Sequence, residues 1–198
     1  MTSTEQYKDQ FKFIMYLDMD GVLTSGDYIV KVHDCFVGKQ DDENKDFRYR
    51  NFMHQWCFQT EAVECLNKLY DLAPYTIILS STRRFQLTPT EWNTIFRIND
   101  IKAYVGGRTG KVPKDNYISW REDEIKQYHY NMGSMFTFNK IPFIVVDDDC
   151  FDLMELEDRL IKVDTDKGLT LEHLDDMVNK LKMQGVKFND NTRSNWGS

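Results

Sequence analysis

Aspartates dominate the residues of this chain that could do chemistry. Asp18 and Asp20 lie two apart in Asp18-Met19-Asp20-Gly21-Val22-Leu23-Thr24, and Asp147, Asp148 and Asp149 run consecutively with Asp152 close behind. Two carboxylates at i and i+2 on a loop can face one way with separate tasks. One attacks an electrophile such as phosphorus, while the other moves the leaving group's proton. A hydroxyl and a fixed cation would offset charge developing on phosphoryl oxygens. Gathering these acids has a cost, because two like charges about 4 Å apart repel by roughly 4 kcal/mol at an effective dielectric of about 20. A hard divalent cation with oxygen ligands resolves that, and Mg²⁺ suits a site with few protein carboxylates, waters and a substrate phosphate.

These residues need elements to position them. Lys12–Leu17 reads as a buried strand that delivers Asp18 at its carboxyl end, and Tyr75–Leu79 (YTIIL) reads as a second strand before the polar loop Ser80-Ser81-Thr82-Arg83-Arg84. Lys140–Val146 (KIPFIVV) is a fourth, followed at once by the three aspartates. A third strand is expected at Ile101–Val105, ended by Gly106-Gly107, and a short fifth at Ile161–Val163. Apolar spacing predicts a helix between Trp56 and Leu72, opened by Cys57, with Pro74 as its stop. Thr88-Pro89-Thr90-Glu91 is a capping box that starts a helix running to Ile98, and Ser119-Trp120-Arg121-Glu122 predicts another towards Tyr130. Further helices are expected at Phe151–Leu160 and Leu171–Gln184, the last stopped by Gly185. Alternation of this kind means a three-layer, doubly wound α/β fold: a parallel sheet covered by helices on both faces. Ligands in such a sheet sit beyond the carboxyl ends of the strands. Asp18, Asp20, Ser80 and Asp147–Asp149 all follow strands.

The segment Asp18–Thr24 after an apolar strand resembles the first motif of the haloacid dehalogenase (HAD) superfamily. ILSSTRR resembles its second motif, Arg121 its third and IVVDDDCFD its fourth. ILSSTRR, RxxEI at 121–125, IVVDDD and DKGLT at 166–170 together are similar to the branch called Swiss-army-knife RNA-repair-like proteins. The resemblance implies a HAD-like phosphatase. Asp18 would be the nucleophile that forms an aspartyl-phosphate and Asp20 the acid and base. Ser80 would hold a phosphoryl oxygen, and Arg121 would balance charge on Asp18 and the phosphate. Asp18, the backbone carbonyl of Asp20, and Asp148 would hold Mg²⁺. Asp147 competes with Asp148, which the spacing Asp148-x-x-x-Asp152 favours. Ser81 competes with Ser80, and Lys111, Lys114 or Lys126 could stand in for Arg121. Ser81, Arg83 and Arg84 are candidate substrate-binding residues beside the phosphate site.

With 198 residues, 41% of them hydrophobic, the chain suits one domain over 1–190, a small insertion at about 25–55 and a flexible tail at 191–198. The insertion carries QDDENKD and a candidate hairpin around YIVKVHDCFV. At roughly thirty residues it is too short for a large cap, which leaves an open site able to take a nucleotide or nucleic-acid end. A net charge of −7 gives no general attraction to nucleic acid, so that substrate would need a basic rim from Arg83, Arg84, Arg108, Lys111 and Lys114. The alternatives are small phosphomonoesters, or a non-catalytic binding protein. No signal-peptide pattern and no membrane-length apolar run are visible, so a cytoplasmic location is expected, with no membrane and no obligate protein partner. Four cysteines without a CxxC pair fit reduced thiols. His33, Cys35, His54 and Cys57 could bind zinc, but two chance pairs is the simpler reading. Trp56, Phe58, Trp92 and Phe96 fall at core spacing, while His129 and His173 have no evident acid–base partner.

Overall fold

The computed structural model describes residues 11–29, 57–112, 120–132 and 141–189. The expected hairpin, most of the 25–55 insertion, Lys114, Ser119, Trp56, the residues His33, Cys35 and His54, and the 191–198 tail lie outside the described residues.

Five strands follow the apolar runs: β1 Phe13–Leu17, β2 Tyr75–Leu79, β3 Tyr104–Arg108, β4 Phe143–Asp147 and β5 Leu160–Lys162. All neighbours pair in parallel in the order β3-β2-β1-β4-β5. The central strand, β1, sets Leu17 beside Leu79 on one side and beside Val146 on the other, so three strands finish at one level. Every residue of β1, β2 and β4 is buried. That is the pattern of a sheet covered on both faces.

Alternation along β1 divides the core. Phe13, Met15 and Leu17 join the larger cluster, with Leu66 and Leu69 of α1 (Thr60–Leu72), Trp92 and Phe96 of α2 (Pro89–Ile98), and Met177 and Leu181 of α4 (Leu174–Met183). Ile14 and Tyr16 face the other way, towards Ile125 of α3 (Arg121–Met132), Phe143, Val145, Leu153 and Leu156. Trp92, Phe96 and Phe58 are core residues, as their spacing suggested. His129 is buried too, its Nδ1 2.9 Å from the Tyr16 hydroxyl.

Several boundaries differ from expectation. α1 begins at Thr60, three residues beyond Cys57. Gly106 and Gly107 do not end β3 but lie inside it, at a register shift against β2. A Cβ on Gly107 would come within 2.2 Å of the Tyr128 hydroxyl, and one on Gly106 within 2.6 Å of Thr76 Oγ1, so the strand passes there only as glycine. The helix expected at Phe151–Leu160 is a 3₁₀ turn at Met154–Leu156. The final helix opens with a 3₁₀ turn at Leu171–His173 before α4. The Thr88–Glu91 capping box forms as read, with the Thr88 amide donating to Glu91 at 2.8 Å and the Glu91 amide donating to Thr88 Oγ1 at 3.3 Å. No helix among the described residues is long and apolar enough to cross a membrane.

Candidate active site

The loop after β1 turns on its own main chain: the Leu23 amide donates to the Met19 carbonyl at 2.8 Å, and the Gly21 amide to the Thr24 carbonyl at 3.0 Å. Met19, Val22 and Leu23 are fully buried, and their burial anchors the loop. Asp18 is 5% exposed beneath the strand end, whereas Asp20 stands exposed at the surface. Gly21 has φ +76°, and a Cβ there would meet Asp148 Oδ2 at 2.2 Å. Glycine is therefore what allows the β1 and β4 loops to touch.

Asp18, Asp147 and Asp148 bring one carboxylate oxygen each to within 4.8 Å of the others, and together they could hold a metal ion. Arg121, from the first turn of α3, ion-pairs with Asp147 and reaches Asp18 Oδ1 at 3.5 Å. Burial raises the Asp18 carboxyl to about 8, helped by Asp147 and Asp148 and opposed by Arg121 and a hydrogen bond with Ser81. Burial also raises Asp147, to about 6, against the pull of Arg121. On Arg121 burial disfavours the charge, yet Asp147 and Asp18 outweigh it and hold the guanidinium above its ordinary value. One cation among three acids leaves surplus negative charge in a buried place. Hard oxygen donors with that surplus fit a small divalent ion.

The two central acids of the fourth motif are held differently. Asp147 has both oxygens engaged, Oδ2 by Arg121 and Oδ1 by the Asp149 amide at 3.0 Å. Asp148 accepts from the Thr165 hydroxyl at 2.8 Å through Oδ2. Thr165 went unnoticed in the sequence; its one signal is its place just after the short fifth strand.

Ser80 and Ser81 are both fully buried after β2. The Ser80 hydroxyl has no partner among the described residues. Ser81 meets Asp18 and accepts from the Arg83 amide at 3.2 Å, opening a 3₁₀ turn at Thr82–Phe85. Arg83 donates to Asp20 Oδ1 at 3.0 Å. Arg84 turns inward: it donates to the carbonyls of Ser81 (2.8 Å) and Thr109 (2.9 Å) and to Glu124 Oε2 (2.7 Å). Arg83 thus lies at the acid pair, while Arg84 braces the loop against α3. Lys126 pairs with Glu122 and Glu155, away from Asp18. Lys111 lies beside the Phe85 ring.

α3 is held from outside itself. The Asp152 side chain accepts the Arg121 amide at 2.9 Å, the Asp152 carbonyl accepts the Glu122 amide at 3.2 Å, and Glu122 accepts the Glu155 amide at 2.7 Å. Glu122 also pairs with Lys126 through its other oxygen, and the box expected with Ser119 lies outside the described residues. Asp152 thus fixes the start of α3 at Arg121, and Glu124 ties the same helix to Arg84, roles that helical periodicity could not reveal.

A parallel sheet of this order, with an acid pair after its central strand and acids after the next, defines a HAD-like hydrolase domain. The chain belongs to the family described as the HAD domain in Swiss Army Knife RNA repair proteins, which matches residues 14–174. No curated protein matches it. Among solved structures it is similar to a haloacid dehalogenase-like hydrolase family protein from Streptococcus pneumoniae, with 12% identity, a TM-score of 0.41, and coverage of 83% of this chain and 90% of that one.

Proposed function

We propose that this chain is a Mg²⁺-dependent phosphatase that removes phosphate from nucleotides or nucleic-acid ends through an aspartyl-phosphate on Asp18. The observation that carries the reading is the focus on Asp18, where Arg121, Ser81, Asp147 and Asp148 all converge. Asp18, Asp148 and the Asp20 main-chain carbonyl would hold Mg²⁺, which supplies positive charge against carboxylates and phosphoryl oxygens. Asp148 is the better direct ligand because Arg121 and the Asp149 amide already occupy Asp147.

An Asp18 oxygen attacks phosphorus, and the bond from phosphorus to the leaving oxygen breaks as Asp20 donates its proton to that oxygen. Asp20 then takes a proton from water, the water oxygen bonds to phosphorus, and the bond to Asp18 breaks to release inorganic phosphate. Arg121 balances charge on Asp18 and the phosphoryl group. The unpartnered Ser80 hydroxyl is ready to donate to a phosphoryl oxygen. Arg83 holds Asp20.

The test is release of phosphate from a generic aryl phosphate with Mg²⁺. Wild type should turn over and Asp18→Asn should fall to background; equal release by both would end the reading. The family's association with RNA repair supports nucleic-acid ends as substrate, while the net charge of −7 favours small phosphomonoesters. Ranking kcat/KM over nucleotides, phosphorylated oligonucleotides and sugar phosphates decides between them.

A further inference from the structure

An exposed aromatic ring at the rim of the site is ringed by positive charge. Phe85 keeps 43% of its surface open to water. Arg84 Cζ lies 4.5 Å from its ring centroid, Arg108 Cζ 5.0 Å and Lys111 Nζ 5.8 Å. A cation near an aromatic face is attracted by the ring quadrupole, but that attraction does not require the ring to stay exposed. Arg84 is neutralised by Glu124 at 2.7 Å. Arg108 donates to the carbonyls of Arg84 (3.0 Å) and Leu87 (2.9 Å), which fixes its guanidinium without cancelling its charge. Among the described residues, neither Arg108 nor Lys111 has a carboxylate at ion-pair distance. Two uncompensated cations beside an open ring are a local exception in a chain of net charge −7.

Their location gives the cluster meaning. Phe85 closes the turn Thr82–Phe85 whose Arg83 is paired with Asp20, and chain geometry keeps the Cα atoms of Phe85 and Arg83 within about 7 Å. Arg108 ends β3 on the same carboxyl edge that carries Asp18. Single-stranded nucleic acid is recognised by this combination: bases stack on aromatic rings and guanidinium planes, and cations track the phosphates. A small phosphomonoester needs no such surface. An anionic membrane would use the cations but offers no base to stack on the ring.

We propose that Phe85, Arg108 and Lys111 form a stacking platform for an unpaired base of a nucleic-acid strand whose terminal phosphate enters the Asp18 site. The final clause rests on the phosphatase reading; the platform itself is testable without turnover. The probe is a short fluorescein-labelled single-stranded RNA with a terminal phosphate, bound to Asp18→Asn protein and read by anisotropy. Phe85→Ala should weaken binding by about fivefold to a hundredfold, the range expected for losing one stacked base, while Phe85→Trp retains it. Lys111→Gln should reduce the slope of log affinity against log salt by about 0.7, and Phe85→Ala should leave that slope unchanged. Thermal midpoints of the variants separate loss of the ring from loss of the fold. The platform is overturned if folded Phe85→Ala binds the RNA as tightly as its parent, or if a blunt duplex competes as well as the single strand. Wild type that hydrolyses no aryl phosphate, alongside Phe85-dependent RNA binding, would overturn the phosphatase reading and leave the platform standing.

Discussion

At the scale of single residues, the metal-free site is in conflict with its own fold. Burial lifts Asp18 from 3.8 to about 8, so its charged form is the costly one. A carboxyl raised on folding contributes stability below its unfolded value and loses it as pH climbs through the folded one. In the presence of a chelator, stability should therefore fall between about pH 4 and about pH 8, with Asp147 adding to the loss up to about 6. Urea unfolding across that range checks this, and Asp18→Asn should flatten the curve. A midpoint that rises over the same range would contradict it. The acids at 18 and 20 stood out in the sequence because they sit at i and i+2 after an apolar strand. The different employment of Arg83 and Arg84 was not, since adjacent arginines look alike until their partners, Asp20 and Glu124, come from distant segments.

At the scale of elements, α3 deserves its own test because it carries Arg121 yet owes its position to others. The Arg84–Glu124 pair is buried on both sides. Removing one partner of a buried pair leaves an uncompensated charge and costs about 3 kcal/mol or more. Glu124→Gln should show that loss in denaturant melts, and should lower kcat more than KM because Arg121 loses its footing at Asp18. An unchanged kcat would free Arg121 from this brace. The same element explains one departure from the sequence reading. The stretch after Phe151 was plausible as a helix, but its Asp152 is committed to the first amides of α3. Tertiary contacts override local propensity there. By contrast, the Thr88 box contains all its own partners and was readable in full.

At the scale of the whole molecule, metal binding should report on global stability, since a ligand that binds only the folded state stabilises it by mass action. Mg²⁺ at a hundred times its Kd should add about 2.7 kcal/mol, or roughly 5–10 °C in Tm for a domain of this size. Asp148→Asn should lose most of that shift, and without metal it should melt no lower than wild type. An identical Mg²⁺ shift in both would remove Asp148 from the metal's ligands. The layered fold was open to prediction because β1, β2 and β4 are continuous apolar runs, whereas the strand order was not read from the sequence. The edge strand β3 was misplaced because its glycines answer to Tyr128 and Thr76, which no local pattern announces. β1 also has a bearing on how the protein is made. Its partners are residues 75–79 on one side and 143–147 on the other, so the second pairing waits for a long stretch of synthesis. Asp18 leaves the ribosome well before Asp147 and Asp148. The crowding of like charge around Asp18 therefore cannot arise before β4 and the loop after it have been made.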